Sequence, residues 1–509
     1  MELNQDNRSF RTPVAALDTV AEQLADIDLT LPDYCPDIEK ILKCTLIPKI
    51  QSKSLSGGQL QVDGFCVVNV LYVEAEKKTI RCCEQSVNFS QSFTVSDASD
   101  NCVVLTKTKP EYVNCRALSP RRLVMHGAFS LYAKVICPQE TRLFSADQPG
   151  LELKTEPLRL ADLLSSCQEQ LNVSEQISVA DKPAIESVLY SRVNAAVTEA
   201  KAVSGKLLLN GEINVRLFYL TDIETGKTAR LDYILPFNHI MDCGGVTEET
   251  DNLLDCEVMS YDIRLKNDIL SDKPAIALDV KLCITGEGFA ARETELVTDA
   301  FSTRFASAPQ FSPIRSIGEI RKVNDSFIEK ITAKVDNGKI SGILDIYPDS
   351  VTAEITPTDD GLKADGKVKL CILALDEKGF PVFIERSGDF SHPLASSSDC
   401  NDMLFKNASV GSISYRLADD NSIDIRTELR ISGGAVKRQS NKAVSEVDVF
   451  EDKPISADNC ALTLYFASAG EELWDIAKAH NTRLDALLSE NELSDMKLDS
   501  AKMLLIPKI

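Results

Sequence analysis

The residues able to do chemistry in this chain of 509 residues are its 15 cysteines, four histidines, a surplus of carboxylates and one glycine-rich stretch. Zinc ligation needs thiolates or imidazoles clustered at turn spacing. No Cys-x-x-Cys pair occurs, Cys82 and Cys83 are adjacent, and His126, His239, His392 and His480 lie far apart, so no metal site is expected. The cysteines read as buried reduced thiols acting as small hydrophobes, and their odd count and scatter fit a reducing cytosol. Gly286-x-Gly288-x-x-Ala291, after the apolar run from Asp279 to Ile284, has the outline of a dinucleotide loop. No βαβ pattern surrounds it, and it reads instead as a tight turn. No Gly-x-x-x-x-Gly-Lys-Ser/Thr loop exists, and no pair among the scattered Asp and Glu residues stands out as catalytic acid and base. The expectation is a non-enzyme with no cofactor.

The elements carrying these residues are organised by an internal repeat. Ile38-x-x-Ile41-Leu42, Ile185-x-x-Val188-Leu189 and Ile340-x-x-Ile343-Leu344 are each followed 22 residues later by a glycine, Gly64, Gly211 or Gly366. A period-two apolar run then follows in each copy: Cys66, Val68, Val70, Leu71, Tyr72; Ile213, Val215, Leu217, Phe218, Tyr219; and Val368, Leu370, Ile372, Leu373, with Ala374 in the tyrosine's place. Alternation of this kind predicts strands with one face on a core, and each glycine a turn or bulge before its strand. A second strand-rich half follows at 122–136, 275–284 and 423–431, with Asp181-Lys-Pro, Asp272-Lys-Pro and Asp452-Lys-Pro as turn signals. A period of about 150 residues suits three copies of a domain rather than a solenoid.

The expected fold is therefore mainly β. It comprises an N-terminal segment (1–30), three repeated sandwich-like domains (31–150, 173–295, 318–436), a mobile linker (437–459) and a C-terminal module (460–509). Helix is expected only at Thr19 to Leu24, at Leu160 to Leu171 and in that module.

The module reads as strand, helix, helix, strand. Leu462, Leu464 and Phe466 alternate as a half-buried strand would, and Gly470 breaks the chain. Leu473, Trp474, Ile476 and Ala477, then Leu484, Leu487 and Leu488, recur at helical spacing, and Met503 to Ile506 close the unit before Pro507. It resembles a LysM module, the β-α-α-β unit that binds N-acetylglucosamine-containing glycans such as peptidoglycan. Gly470, Leu473, Trp474, Ile476 and Ala477 match that family's first motif, Asn491 the asparagine after its second helix, and Ile506-Pro507 its ending. The resemblance implies a binding groove between two loops, here Gly470, Glu471, Glu472 and Leu473 with Asn491, Glu492 and Leu493. Glu472 stands where the family has a small hydroxyl, which favours a basic protein surface over an uncharged sugar. Trp474 and the leucines read as core, since so small a module needs its aromatics for packing.

With Pro36-Asp-Ile-Glu-Lys-Ile-Leu opening the first copy, three β domains and this module resemble the SPOCS-domain proteins of spore-forming bacteria. That resemblance implies a sporulation protein of the mother-cell cytosol around the forespore. It further implies an adaptor in spore coat assembly whose LysM docks a morphogenetic ATPase of the stage IV sporulation protein A type, with other coat proteins as further partners. The alternative is a peptidoglycan-binding protein of wall or cortex.

Composition agrees with a globular protein: 44% of residues are hydrophobic and 26% charged. A net charge of -22 opposes nucleic acid or an anionic lipid surface as general partner. The polar, acidic start lacks the basic and apolar regions of a secretion signal, and no run approaches the roughly 18 apolar residues needed to span a bilayer.

Overall fold

The computed structural model describes residues 9–507 apart from 97, 100, 180, 268–273, 335–338, 396, 420 and 456–461. The chain is mainly antiparallel β, and one topology occurs three times. In the first unit the strands are β1 (Ser9–Leu24), β2 (Ile27–Thr30), β3 (Ile38–Ser56), β4 (Gln59–Glu74), β5 (Ile80–Thr94), β6 (Val103–Ser119) and β7 (Arg122–Arg142). They form a β3-β4-β5 sheet facing a second sheet in which β7 pairs with β1, β2 and β6. The second unit has β8 (Leu151–Ser178), β9 (Ser187–Val203), β10 (Lys206–Asp222), β11 (Lys227–Asp242), β12 (Asp251–Asn267) and β13 (Pro274–Ser302), in sheets β9-β10-β11 and β8-β13-β12. The third repeats this with β14 (Phe305–Lys334), β15 (Ile340–Thr358), β16 (Gly361–Asp376), β17 (Pro381–Pro393), β18 (Asp402–Asp419) and β19 (Ser422–Pro454). The module follows as β20 (Leu462–Ala467), α1 (Leu473–Ala479), α2 (Leu484–Glu490) and β21 (Lys502–Pro507).

Alternation explains the central strands. On β10, Leu207, Leu209, Ile213, Val215 and Leu217 are all buried while the residues between them face outward. The glycine in this series has a different role from the one its spacing suggested. Gly64, Gly211 and Gly366 lie inside β4, β10 and β16, each directly opposite a phenylalanine: Phe89, Phe237 and Phe390. A Cβ on Gly211 would lie 2.3 Å from the Phe237 ring and 2.7 Å from the Ala196 carbonyl oxygen. The glycine makes room for the ring to lie across the strand.

Both helices expected within the β units are strands. Thr19 to Leu24 pairs residue by residue with β7. Leu160 to Leu171 belongs to β8, where a register shift between Ser165 and Leu163 changes the inward-facing phase, and this imitates helical spacing. Gly286 and Gly288 form no turn, because they sit within β13 and are paired on both sides. Residues 437–454, expected as linker, are the second half of β19, and Asp452-Lys-Pro lies in that strand rather than at a turn. Asp272 and residues 456–459 lie outside the described residues.

The thiols also differ from expectation at one pair. Cys102 and Cys137 form a disulfide, because pairing of Val103 with Ile136 places the flanking residues side by side despite 35 residues between them. Among the described residues, twelve other cysteines are free.

Two larger features position the module. The three-stranded sheets of the repeats meet in one apolar cluster built from equivalent positions, Leu42, Leu189 and Leu344 with Leu71, Phe218 and Leu373. Each unit thereby touches the other two, through Asn69 Nδ2 donating to the Leu189 carbonyl (3.2 Å), a Tyr190–Asp345 hydrogen bond and a Lys43–Glu385 ion pair. From this hub the outer halves of β8 with β13 and of β14 with β19 run on as two strand pairs. Packed through Leu158, Leu160, Leu296, Ile314 and Ala443, they make a stalk.

Candidate docking site on the C-terminal module

The module's small core is Ala467, Leu473, Trp474, Ile476, Ala477, Leu487, Leu498, Leu504 and Ile506, and the stalk residue Phe301 is part of it. Trp474 is 4% exposed, with its ring edge-on to Phe301 at a centroid distance of 5.1 Å. Its indole N–H donates to Asp299 Oδ2 at 2.8 Å, and Lys478 donates to both oxygens of the same carboxylate at 2.6 and 2.7 Å. Burial raises the Asp299 pKa, but the bonds from Lys478 and Trp474 outweigh it and hold the carboxyl below its usual range. Beside it, Lys154 donates to Glu472 at 2.6 Å, which holds the Glu472 carboxyl low and the Lys154 ammonium high. The Leu484 amide donates to Glu152 at 3.4 Å.

These contacts decide what the two loops can do. Gly470 turns the chain with φ +89, and its N–H donates to the Leu498 carbonyl at 2.7 Å. Glu471 accepts from the Tyr465 hydroxyl and the Ser468 amide, both at 3.1 Å. Glu472 faces the stalk lysine, and Leu473 is fully buried. Asn491 braces the module, donating to the Leu487 and Leu505 carbonyls (2.8 and 2.7 Å) and accepting from the Leu505 amide (2.7 Å). Leu493 packs half-buried on the core. Of the seven loop residues singled out from sequence, Gly470 and Glu492 are the exposed ones.

The open surface lies on the sheet. Leu464 is 58% and Phe466 78% exposed, opposite in phase to the half-buried strand that their alternation suggested. Tyr465 and Ala467 point to the core instead. Phe466 pairs across the sheet with Met503, which is 50% exposed, and Leu464 with Leu505, so the outer face carries four apolar side chains in register. Met496 is 57% exposed. Alternation fixes that one face is apolar but carries no sign for which face meets the helices, and here both faces are.

Elsewhere no helix among the described residues is long and apolar enough to cross a membrane. Among the comparisons with known proteins, residues 37–118 and 184–266 match the family described as SipL, SPOCS domain; these stretches run from β3 to β6 and from β9 to β12. No curated protein and no solved structure matches the chain.

Proposed function

We propose that this SPOCS-domain sporulation protein is a non-enzymatic adaptor in spore coat assembly, whose three β units form a rigid hub and whose LysM-like module docks a protein. The partner suggested by the SPOCS resemblance is a morphogenetic ATPase of the stage IV sporulation protein A type, met in the mother-cell cytosol. The observation that carries this reading is the unpartnered apolar sheet face, Leu464, Phe466 and Met503, on a module held at the end of a stalk. Exposed aromatic and methionine side chains grouped on a rigid strand pair are the composition of a protein-binding centre. The loops, where a glycan would lie, have Glu472, Asn491 and Leu473 engaged by the stalk and by the module itself. The docking surface is therefore moved from the loops to the sheet.

Titration of the full chain with the purified ATPase tests this. Phe466→Asp should cost about 2 kcal/mol or more of binding, roughly 30-fold in Kd, as loss of a central aromatic does. Glu492→Lys should leave binding intact. The reverse pattern would return the contact to the loops, and saturable binding of N-acetylglucosamine oligomers sensitive to the loop residues would replace the adaptor reading with wall binding.

A further inference from the structure

Beyond the Cys102–Cys137 disulfide, a second pair of thiols is placed to join. Cys167 lies on β8 and Cys243 just after β11, in the turn whose Cys243 amide donates to the Gly205 carbonyl at 2.9 Å. The two strands belong to different sheets of the second unit. Glu169, two residues from Cys167, clamps them together: its carboxylate oxygens meet His239 Nε2 at 2.8 Å and the Asp242 amide at 3.2 Å. Both thiols belong to the apolar core of this unit, Cys243 buried in it and Cys167 packed against the same cluster. The Ser165 hydroxyl lies 3.4 Å from Cys243 Sγ, and the Gly286 carbonyl 3.4 Å from Cys167 Sγ. Gly286 lacks the side chain that would crowd this site, where a Cβ would approach Cys167 Sγ to 3.1 Å.

We propose that Cys167 and Cys243 are a disulfide-forming pair that staples the two sheets of the second SPOCS domain when a hydroperoxide reaches them. The Cys167 thiol and then the Ser165 hydroxyl stabilise charge on Cys243, bringing that thiol down to about 7, while Cys167 is held high. Cys243 is buried and Cys167 is partly exposed. In the reaction the Cys243 thiolate attacks one peroxide oxygen, the O–O bond breaks, and the second oxygen leaves as water after taking a proton. Cys167 sulfur then displaces the hydroxyl from the Cys243 sulfenic acid, its own proton leaving with that oxygen as water. Two thiols and one hydrogen peroxide give one disulfide and two waters.

The first unit holds a comparable pair, Cys44 and Cys115, but among the described residues no second donor like Ser165 supports Cys115, and Cys44 also leans on Met125 Sδ at 3.6 Å. The assignment therefore rests on Cys167 and Cys243.

The test uses the full chain, reduced and desalted, treated with hydrogen peroxide, alkylated under denaturing conditions and mapped by mass spectrometry without reductant. The expected result is a linked peptide containing Cys167 and Cys243, with their alkylation lost. In Cys167→Ser, dimedone should trap a sulfenic acid at Cys243, a product that an inert buried thiol does not give. Cys167→Ser, at the partly exposed position, carries this readout even if Cys243→Ser fails to fold. Full alkylation of both thiols at a peroxide dose that re-forms Cys102–Cys137, or linkage of Cys167 to another cysteine, would overturn the proposal.

Discussion

Removal of the Asp299 carboxylate should release the module from the stalk while leaving both folded. In Asp299→Ala the indole N–H of Trp474 loses its acceptor, and Lys478 loses two charge-assisted bonds. Hydrogen bonds to charged groups contribute about 1.5–3 kcal/mol, so the docking equilibrium should fall by about 10- to 150-fold. Trp474 is the chain's one tryptophan, which makes its emission a direct report on this contact. The expected outcome is a red shift, because the face shared with Phe301 becomes wet, together with faster amide exchange at 151–156 and 296–302. The module's own pattern, from Leu473, Ile476, Ala477 and Leu487, should keep its protection. Acid should act in the same direction. The folded Asp299 carboxyl is held below its ordinary value, so its contribution is present above pH ~4 and is lost as pH falls below that. Glu472, held low by Lys154, titrates in the same window with the same sign. Asp299→Asn should therefore weaken the acid transition without abolishing it. Unchanged emission and exchange in Asp299→Ala would refute the stalk contact, and global loss of module protection would show that Asp299 belongs to the module's fold instead.

Other predictions follow from single positions. Trp474→Ala removes a buried large aromatic and should cost the module about 3–5 kcal/mol, read as loss of its protection in hydrogen exchange. Gly211→Ala places a methyl against the Phe237 ring and a ladder carbonyl and should destabilise by about 1–3 kcal/mol in urea denaturation, whereas Gly342→Ala, with open space at the Cβ, should not. Glu287 is buried with both carboxylate oxygens unpartnered, and burial pushes it up to about 8, more than the Arg438 charge offsets. Its neutral form supports the fold fully below the ordinary glutamate pKa, and that support disappears as pH rises through about 8. Glu287→Gln should thus be more stable than the parent at pH 9 but not at pH 4; equal urea midpoints at pH 9 would contradict this. Glu472→Lys puts a second ammonium beside Lys154 and should loosen the module less than Asp299→Ala does, because this pair is partly exposed and screened by water.

What the sequence shows and hides follows from the range of its signals. The triple repeat, the strand character of its central runs and the order of elements in the module all come from local periodicity, which side-chain direction imposes directly. Phase is weaker. In β20 alternation is present but the exposed set is Leu464 and Phe466, because a two-stranded sheet backed by short helices leaves one apolar face without cover. In β8 the shift near Leu163 converts a two-residue period into what looks like a helical one. Pairing over long separations is hidden altogether. Nothing near Cys102 announces Cys137, and nothing near Glu472 announces Lys154, 318 residues away. The glycines were visible and their partners were visible too, since Phe89, Phe237 and Phe390 follow Gly64, Gly211 and Gly366 by nearly constant intervals. A glycine and a later phenylalanine recurring together in three copies is a cross-strand signal, not a turn signal.

Divergence among the copies has a physical use at the hub. Equivalent positions 43, 190 and 345 carry Lys, Tyr and Asp, and positions 69, 216 and 371 carry Asn, Arg and Cys. Three identical units could close a ring within one chain or pair with units of another chain equally well. Here Tyr190 needs Asp345, Lys43 needs Glu385, and Asn69 needs the Leu189 carbonyl, so each unit presents a different complement to each neighbour. Asp345 is fully buried at its side chain, with Arg230 3.4 Å away, and placing it against a second copy of its own kind would leave two buried carboxylates facing one another. Apolar equivalence at Leu42, Leu189 and Leu344 drives the three units together, while polar inequivalence fixes which unit sits beside which. A hub with one allowed arrangement gives the stalk one direction. That fixed direction is what a module needs if its sheet face is to meet a partner while Glu472 and helix α1 stay against Lys154 and Asp299.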